Sequence, residues 1–148
     1  MTLPAVLRSA RLVLPLWSRE DVEAIRTQGR RPGWHPEFPR EDERDAATLW
    51  VEDDPWGPRS IVRGVTTLGS VGFFGPPQPA GDGVLETEIG YGLVREARGW
   101  GFATEAVQAL LAAAAAEGVR IRWGKDWDQD GIAGEKGETD GPHFELVR

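Results

Sequence analysis

Cysteine is absent from the chain. Disulfide frameworks, thiolate zinc sites and cysteine nucleophiles are therefore excluded, and a reducing compartment is permitted. Positive charge is also scarce: 17 Lys and Arg stand against 24 Asp and Glu, for a formal charge of −7. A general nucleic-acid binder neutralises phosphates with a surplus of basic residues, so this balance argues against that class. An acidic protein more naturally attracts cationic small molecules or peptides. No apolar run approaches the ~20 residues of a membrane span, and the start of the chain lacks the apolar core of a signal peptide. The expectation is a soluble, cytoplasmic protein.

Glycine and proline are plentiful, with 19 and 11 copies among 148 residues. That predicts many turns without reaching the level of low-complexity disorder. With 40% hydrophobic residues the chain can close one core of ordinary size, so residues 1–148 are read as a single domain. The basic residues are mostly arginine, and alanine and glycine are abundant, as expected of a GC-rich bacterial genome.

Along residues 11–17, Leu12, Leu14 and Leu16 alternate with Arg11, Val13 and Pro15, the period of a half-buried strand. Pro15 has no amide to donate, which predicts a free edge there. Ser18-Arg19-Glu20-Asp21 fits a capping box and predicts a helix of about two to three turns ending at Gly29. Residues 30–40 place Pro32, Pro36 and Pro39 around Trp34, His35 and Phe38, an ordered loop carrying aromatic side chains. A second helix after Pro39 carries Ala46, Ala47, Leu49 and Trp50 and stops at Asp53-Asp54-Pro55.

Strands at 60–65 and 70–74 read as a hairpin around Thr66 to Gly69. Residues 84–94 then read as one long strand, with Leu85, Thr87, Ile89, Tyr91 and Leu93 on one face and Glu86, Glu88, Gly90 and Gly92 on the other. Interior glycines weaken a strand and mark a bulge or the close approach of a ligand. Ala103, Ala106, Val107, Leu110, Leu111 and Ala114 follow the period of a helix that ends at Gly118. Strand candidates at 119–123 and 143–147 flank a polar, glycine-rich run.

Between the long strand and that helix lies Arg98-Gly99-Trp100-Gly101-Phe102-Ala103. Small residues at 99, 101 and 103 let backbone approach a ligand, and the first helical amides are donors at the positive end of a dipole. Arg95 and Arg98 add charge, which suits a diphosphate; a purely structural strand-to-helix turn fits the same residues. The Lys-Ser/Thr of a P-loop and the three-glycine dinucleotide spacing are both missing.

The run Glu88-Ile89-Gly90-Tyr91-Gly92-Leu93-Val94, followed by Arg98 through Ala106, closely resembles the acetyl-coenzyme A motif of the GNAT N-acetyltransferase superfamily. The motif core, Arg/Gln-x-x-Gly-x-Gly/Ala, is matched by Arg98, Gly101 and Ala103. Arg11-Leu12-Val13-Leu14, Gly33-Trp34-His35-Pro36 and Val71-Gly72-Phe73-Phe74-Gly75 are similar to the branch that includes the ribosomal-protein N-terminal acetyltransferases, and the likeness spans residues 10–123. It implies an α/β (α+β) fold: a mixed, mostly antiparallel twisted sheet flanked by helices, whose fourth strand splays from the fifth. It implies acetyl-CoA as cosubstrate, with Leu93 and Val94 bonding pantetheine and Arg98, Gly99, Trp100, Gly101, Phe102, Ala103 and Thr104 surrounding the pyrophosphate.

The reaction implied is direct transfer of acetyl to a primary amine of a small molecule, peptide or protein. Glu88 is the candidate base, a salt-bridged strand glutamate being its other reading. Trp34, His35 and Glu37 fall where this branch builds its acceptor pocket, with packing as the alternative for Trp34. A homodimer is the family-based expectation, and no metal site is implied.

The segment 124–148 departs from the family pattern. Gly131 and Gly134 stand where Asn and Ser are expected, and the tyrosine that serves many relatives as general acid has no counterpart, since the single tyrosine is Tyr91. Asp126-x-Asp128-x-Asp130-Gly131 copies the first half of a calcium loop, but its twelfth position is Gly137. Two further readings follow: a coenzyme-binding module with little catalysis, and a metal-binding acidic loop.

Overall fold

In the computed structural model, which describes residues 3–122, the first strands are β1 (Val6–Arg8) and β2 (Val13–Pro15), paired antiparallel with Leu7 opposite Leu14. Helix α1 (Arg19–Arg26) starts at the expected box: Ser18 Oγ accepts the Asp21 amide and Asp21 accepts the Ser18 amide, each at 3.0 Å. It stops short of Gly29, because Gln28 already takes the left-handed conformation at φ +62°. Helix α2 (Glu41–Thr48) follows and buries Ala47 with Trp17, Val22 and Ile25 in a small cluster.

Strands β3 (Arg59–Arg63) and β4 (Thr66–Phe73) form the hairpin, but its turn is Gly64-Val65 and residues 66–69 belong to the strand. Gly64 supplies the positive φ, +62°, that a two-residue turn needs. The run 84–94 is not one strand. After β5 (Gln78–Pro79) it divides into β6 (Leu85–Thr87) and β7 (Ile89–Leu93), which join different neighbours on either side of Glu88. A short 3-10 turn (Arg95–Ala97) leads to helix α3 (Phe102–Ala116) and then to β8 (Arg120–Ile121).

One sheet has the order β1-β2-β3-β4-β7, and a second has β5-β6-β8 with β8 parallel to β6. Pro15 is not at a free edge, since β2 lies between β1 and β3. The β2–β3 ladder is interrupted beside it, pairing only Val13 with Val62 and bridging Leu16 to Arg59, so no donor is missed. Phe102, Ala106, Val107, Leu110 and Ala114 of α3 share one buried cluster with Ile61, Val71, Phe73, Ile89 and Leu93 of the sheet. Each large apolar side chain so buried contributes about 1.5–3 kcal/mol.

Arg59 is a charge inside the core. Its guanidinium donates to the carbonyls of Pro4, Ala5, Leu14 and Pro55 at 2.8–3.3 Å. Burial pulls its pKa down to about 10, which leaves it a cation at neutral pH.

Candidate functional site

The register of β4 on β7 decides which way the β7 backbone faces. Val94 N–H donates to Leu68 O and Phe74 N–H to Glu88 O, with Gly69 opposite Leu93 and Phe73 opposite Ile89. Antiparallel bonds alternate, so the even-numbered residues of this stretch bond to β4, while Ile89, Tyr91 and Leu93 direct their N–H and C=O groups to the other edge. On that side β8 is joined to β6 as far as Thr87 O, which accepts Arg122 N–H at 2.8 Å. Among the described residues no strand pairs with the same edge of β7. Leu93 therefore presents its backbone to an edge that no described strand takes, where its carbonyl accepts from Arg98 Nε at 3.1 Å, whereas the Val94 amide is turned toward β4.

The chain then enters the glycine loop. Gly99 and Gly101 adopt φ +86° and +83°, values that L side chains rarely take, and nothing lies within 4 Å of the space a Cβ would fill at Gly99. Gly101 is the N-cap of α3, so the amides of Phe102, Ala103 and Thr104 begin the helix without intrahelical acceptors. Trp100 projects into solvent between the two glycines, while Phe102 is buried beneath the loop.

Two guanidiniums flank the Phe102 ring, Arg11 at 4.6 Å and Arg63 at 5.0 Å from its centroid. Arg11 is held by Glu105, which accepts its Nε at 2.7 Å and its amide at 2.8 Å, and Ser9 Oγ donates to the same carboxylate. Partial burial works against ionising Glu105, but the bonds from Ser9 and Arg11 outweigh it and hold the carboxyl below its ordinary range. Small residues, helix-end amides and converging cations give this turn the chemistry of a phosphate cradle.

On the face of β7 toward α2 the successive positions are Glu88, Gly90 and Gly92. Glu88 accepts from Arg122 Nε at 2.8 Å, and Arg122 also bonds Glu86 at 2.7 Å. Arg120 continues the series to Glu86 and Asp82, each at 2.9 Å. Among the described residues Glu88 is thus the last rung of a charged ladder. Above Gly92 lies the Arg40 guanidinium, whose Nη2 would be 2.1 Å from a Cβ there. Arg40 forks onto Glu43 with bonds of 3.1 and 2.7 Å, and Ser70 Oγ completes that fully buried carboxylate at 2.6 Å. Arg40 and Glu43 are not among the residues singled out from sequence; the available signal was the N3 position of Glu43, which accepts the Arg40 amide at the start of α2.

The loop before α2 is anchored at several points. Trp34 bridges to Thr67, meets Phe38 edge to face at 5.1 Å, and packs against both buried clusters. His35 donates its backbone N–H to Thr67 O, and its Nδ1 accepts the Glu37 amide at 3.0 Å. The neutral ring therefore carries its proton on Nε2, which faces Glu96 Oε1 at 2.5 Å. His35 is mostly enclosed and ties the loop to the 95–97 turn, while Glu37 is exposed.

The aspartates 126, 128 and 130, with Gly131, Gly134 and the strand candidate at 143–147, lie outside the described residues. Among the described residues no group of three or more His, Asp or Glu side chains is placed to hold a metal ion. No described helix is long and apolar enough to cross a membrane.

Residues 11–132 match the family described as the acetyltransferase (GNAT) domain. A search among curated proteins returns no significant match. Among solved structures the fold is similar to RimL, a ribosomal L7/L12 alpha-N-protein acetyltransferase, with 18% identity, TM-score 0.53, and coverage of 78% of this chain and 70% of that one. It is also similar to MccE, a microcin C7 self-immunity acetyltransferase solved with acetyl-CoA and AMP, with 19% identity, TM-score 0.51, and coverage of 77% and 68%. At that level of identity these likenesses speak to the fold.

Proposed function

The chain belongs to the GNAT acetyltransferase family, and from that premise we propose that it moves acetyl from acetyl-CoA to a primary amine by direct attack. The observation that carries the reading is the outward-facing backbone of Leu93, on an edge that no described strand takes, leading into the Gly99–Gly101 turn at the α3 N-terminus.

Along that path Leu93 offers backbone groups to the pantetheine amides. The amides at Phe102, Ala103 and Thr104, with Arg98 beside them, face the pyrophosphate, and Gly99 and Gly101 keep the approach clear of side chains. An extended ligand arm pairing with a strand edge gains its affinity from main-chain bonds. Trp34 and His35 set the wall of the acceptor side, with Glu37 at its rim.

The amine nitrogen attacks the thioester carbonyl, forming the C–N bond as the C–S bond breaks. Its surplus proton goes to Glu88 directly or through water, and the thiolate leaves with coenzyme A. No acyl-enzyme is required, which agrees with a chain free of cysteine. The acceptor is a protein N-terminus, a lysine or a small amine, and the acidic balance favours a cationic one. We place the protein in the cytoplasm, as a dimer whose mass light scattering checks.

Calorimetry with acetyl-CoA, followed by thiol release across a panel of amines, tests the reading. Binding with turnover is expected; no binding at high micromolar coenzyme overturns it, and binding without turnover on any amine identifies a coenzyme-binding module instead. Glu88→Gln is expected to lower kcat by about a hundredfold or more with coenzyme affinity unchanged. Unchanged turnover would leave Glu88 as a rung of the ladder with Arg122.

A further inference from the structure

Phe74, the residue after β4, shares the α2-facing side with Gly90, and internal packing leaves its side chain unexplained. Its amide donates to Glu88 O, so it stands directly opposite Glu88 across the strands, and cross-strand partners project to the same face. One edge of its ring lies over Gly90: a Cβ at that position would be 2.5 Å from the Phe74 Cε1 atom and 2.7 Å from Cζ. The neighbouring glycine, Gly92, is covered by Arg40, a group satisfied by Glu43. Phe74 has no such enclosure. It is 64% exposed, with a ring edge against Gly90 and its position directly across the strands from Glu88.

A large exposed ring kept over a glycine and across the strands from a glutamate, whose carboxylate accepts from Arg122, has the makings of a subsite for an organic ammonium. The carboxylate receives the charged nitrogen, and the ring covers the carbons that follow it. We propose that Phe74 is a specificity-determining residue that selects primary amines borne on an apolar carbon chain. This rests on the acetyl-transfer reading and narrows its acceptor to amines whose first few carbons carry no polar group.

The test compares two primary amines, phenethylamine and 2-(2-aminoethoxy)ethanol, in the full-length protein and in Phe74→Ala and Phe74→Leu. The wild type is expected to favour phenethylamine by about tenfold in kcat/KM. Phe74→Ala is expected to bring that ratio close to one by raising the KM for phenethylamine, with the KM for acetyl-CoA and the melting temperature unchanged, and Phe74→Leu is expected to fall between. The same ratio in Phe74→Ala as in wild type, no preference in wild type, or acetyl-CoA binding with neither amine acetylated would each overturn the proposal. Failure to bind acetyl-CoA at all is a separate result, which removes the acetyl-transfer reading and this proposal with it.

Discussion

Strands β6 and β7 are consecutive in the chain but treat their outer edges in opposite ways. Along β6 the edge is taken by β8, and the side chains between them alternate in sign from Asp82 through Arg120, Glu86 and Arg122 to Glu88. Along β7 the described edge has no strand, the α2-facing positions are glycines, and the backbone of Leu93 is directed outward. Exposed ion pairs hold two strands together in a way that salt and pH can loosen. Glu88, at the junction, belongs to both arrangements.

The sharpest way to break the β7 side is Gly92→Val. The added Cβ needs the space of Arg40 Nη2, so the guanidinium is forced off Glu43 and leaves a buried carboxylate without its cation. A loss of about 3–5 kcal/mol is expected, read as a fall in the denaturation midpoint. Gly101→Ala is expected to act less on folding and more on binding. A β-carbon at φ +83° adds roughly 1–2 kcal/mol of strain at the N-cap, enough to weaken acetyl-CoA by about tenfold by calorimetry.

The smallest effect belongs to the β6 side. Hydrogen bonds from Arg120 and Arg122 hold the Asp82 and Glu86 carboxyls below their ordinary values. Their stabilisation is therefore present above the unfolded value near pH ~4 and is lost as pH falls through the lower folded values. Arg120→Gln is expected to change the melting temperature little at neutral pH, to flatten its decline below pH ~4, and to lose even that difference in high salt. Equal sensitivity to salt in Gly92→Val and Arg120→Gln would erase the distinction between the two edges.

Much of this was legible in sequence because it depends on short-range rules. Ser18 and Asp21 cap α1 through contacts three residues apart, and the glycines at 99 and 101 announce a backbone that other residues resist. The division of 84–94 was not legible, because buried and exposed positions keep alternating through Glu88; the break lies in which neighbour each half has, and no local pattern records that. Arg40, Glu43 and Arg59 were hidden for a related reason. Arg40-Glu41-Asp42-Glu43-Arg44-Asp45 reads as a solvated helix start, and only the distant Ser70 and Gly92 reveal that one of its carboxylates is sealed inside. Phe74 showed only as a strand end and as part of a resemblance, since its contact with Gly90 is made across the sheet.

The bond from His35 to Glu96 links the loop around Trp34 to the turn at 95–97. A ligand that shifted the 95–97 turn would strain this bond and, through it, the loop around Trp34, and an occupant of the loop side would act on the turn in the same way. Thermodynamic linkage makes that influence equal in both directions: whatever factor the first ligand applies to the affinity of the second, the second applies to the first. A single imidazole thus ties the two segments together, and any coupling free energy that passes through it would be the same read from either side.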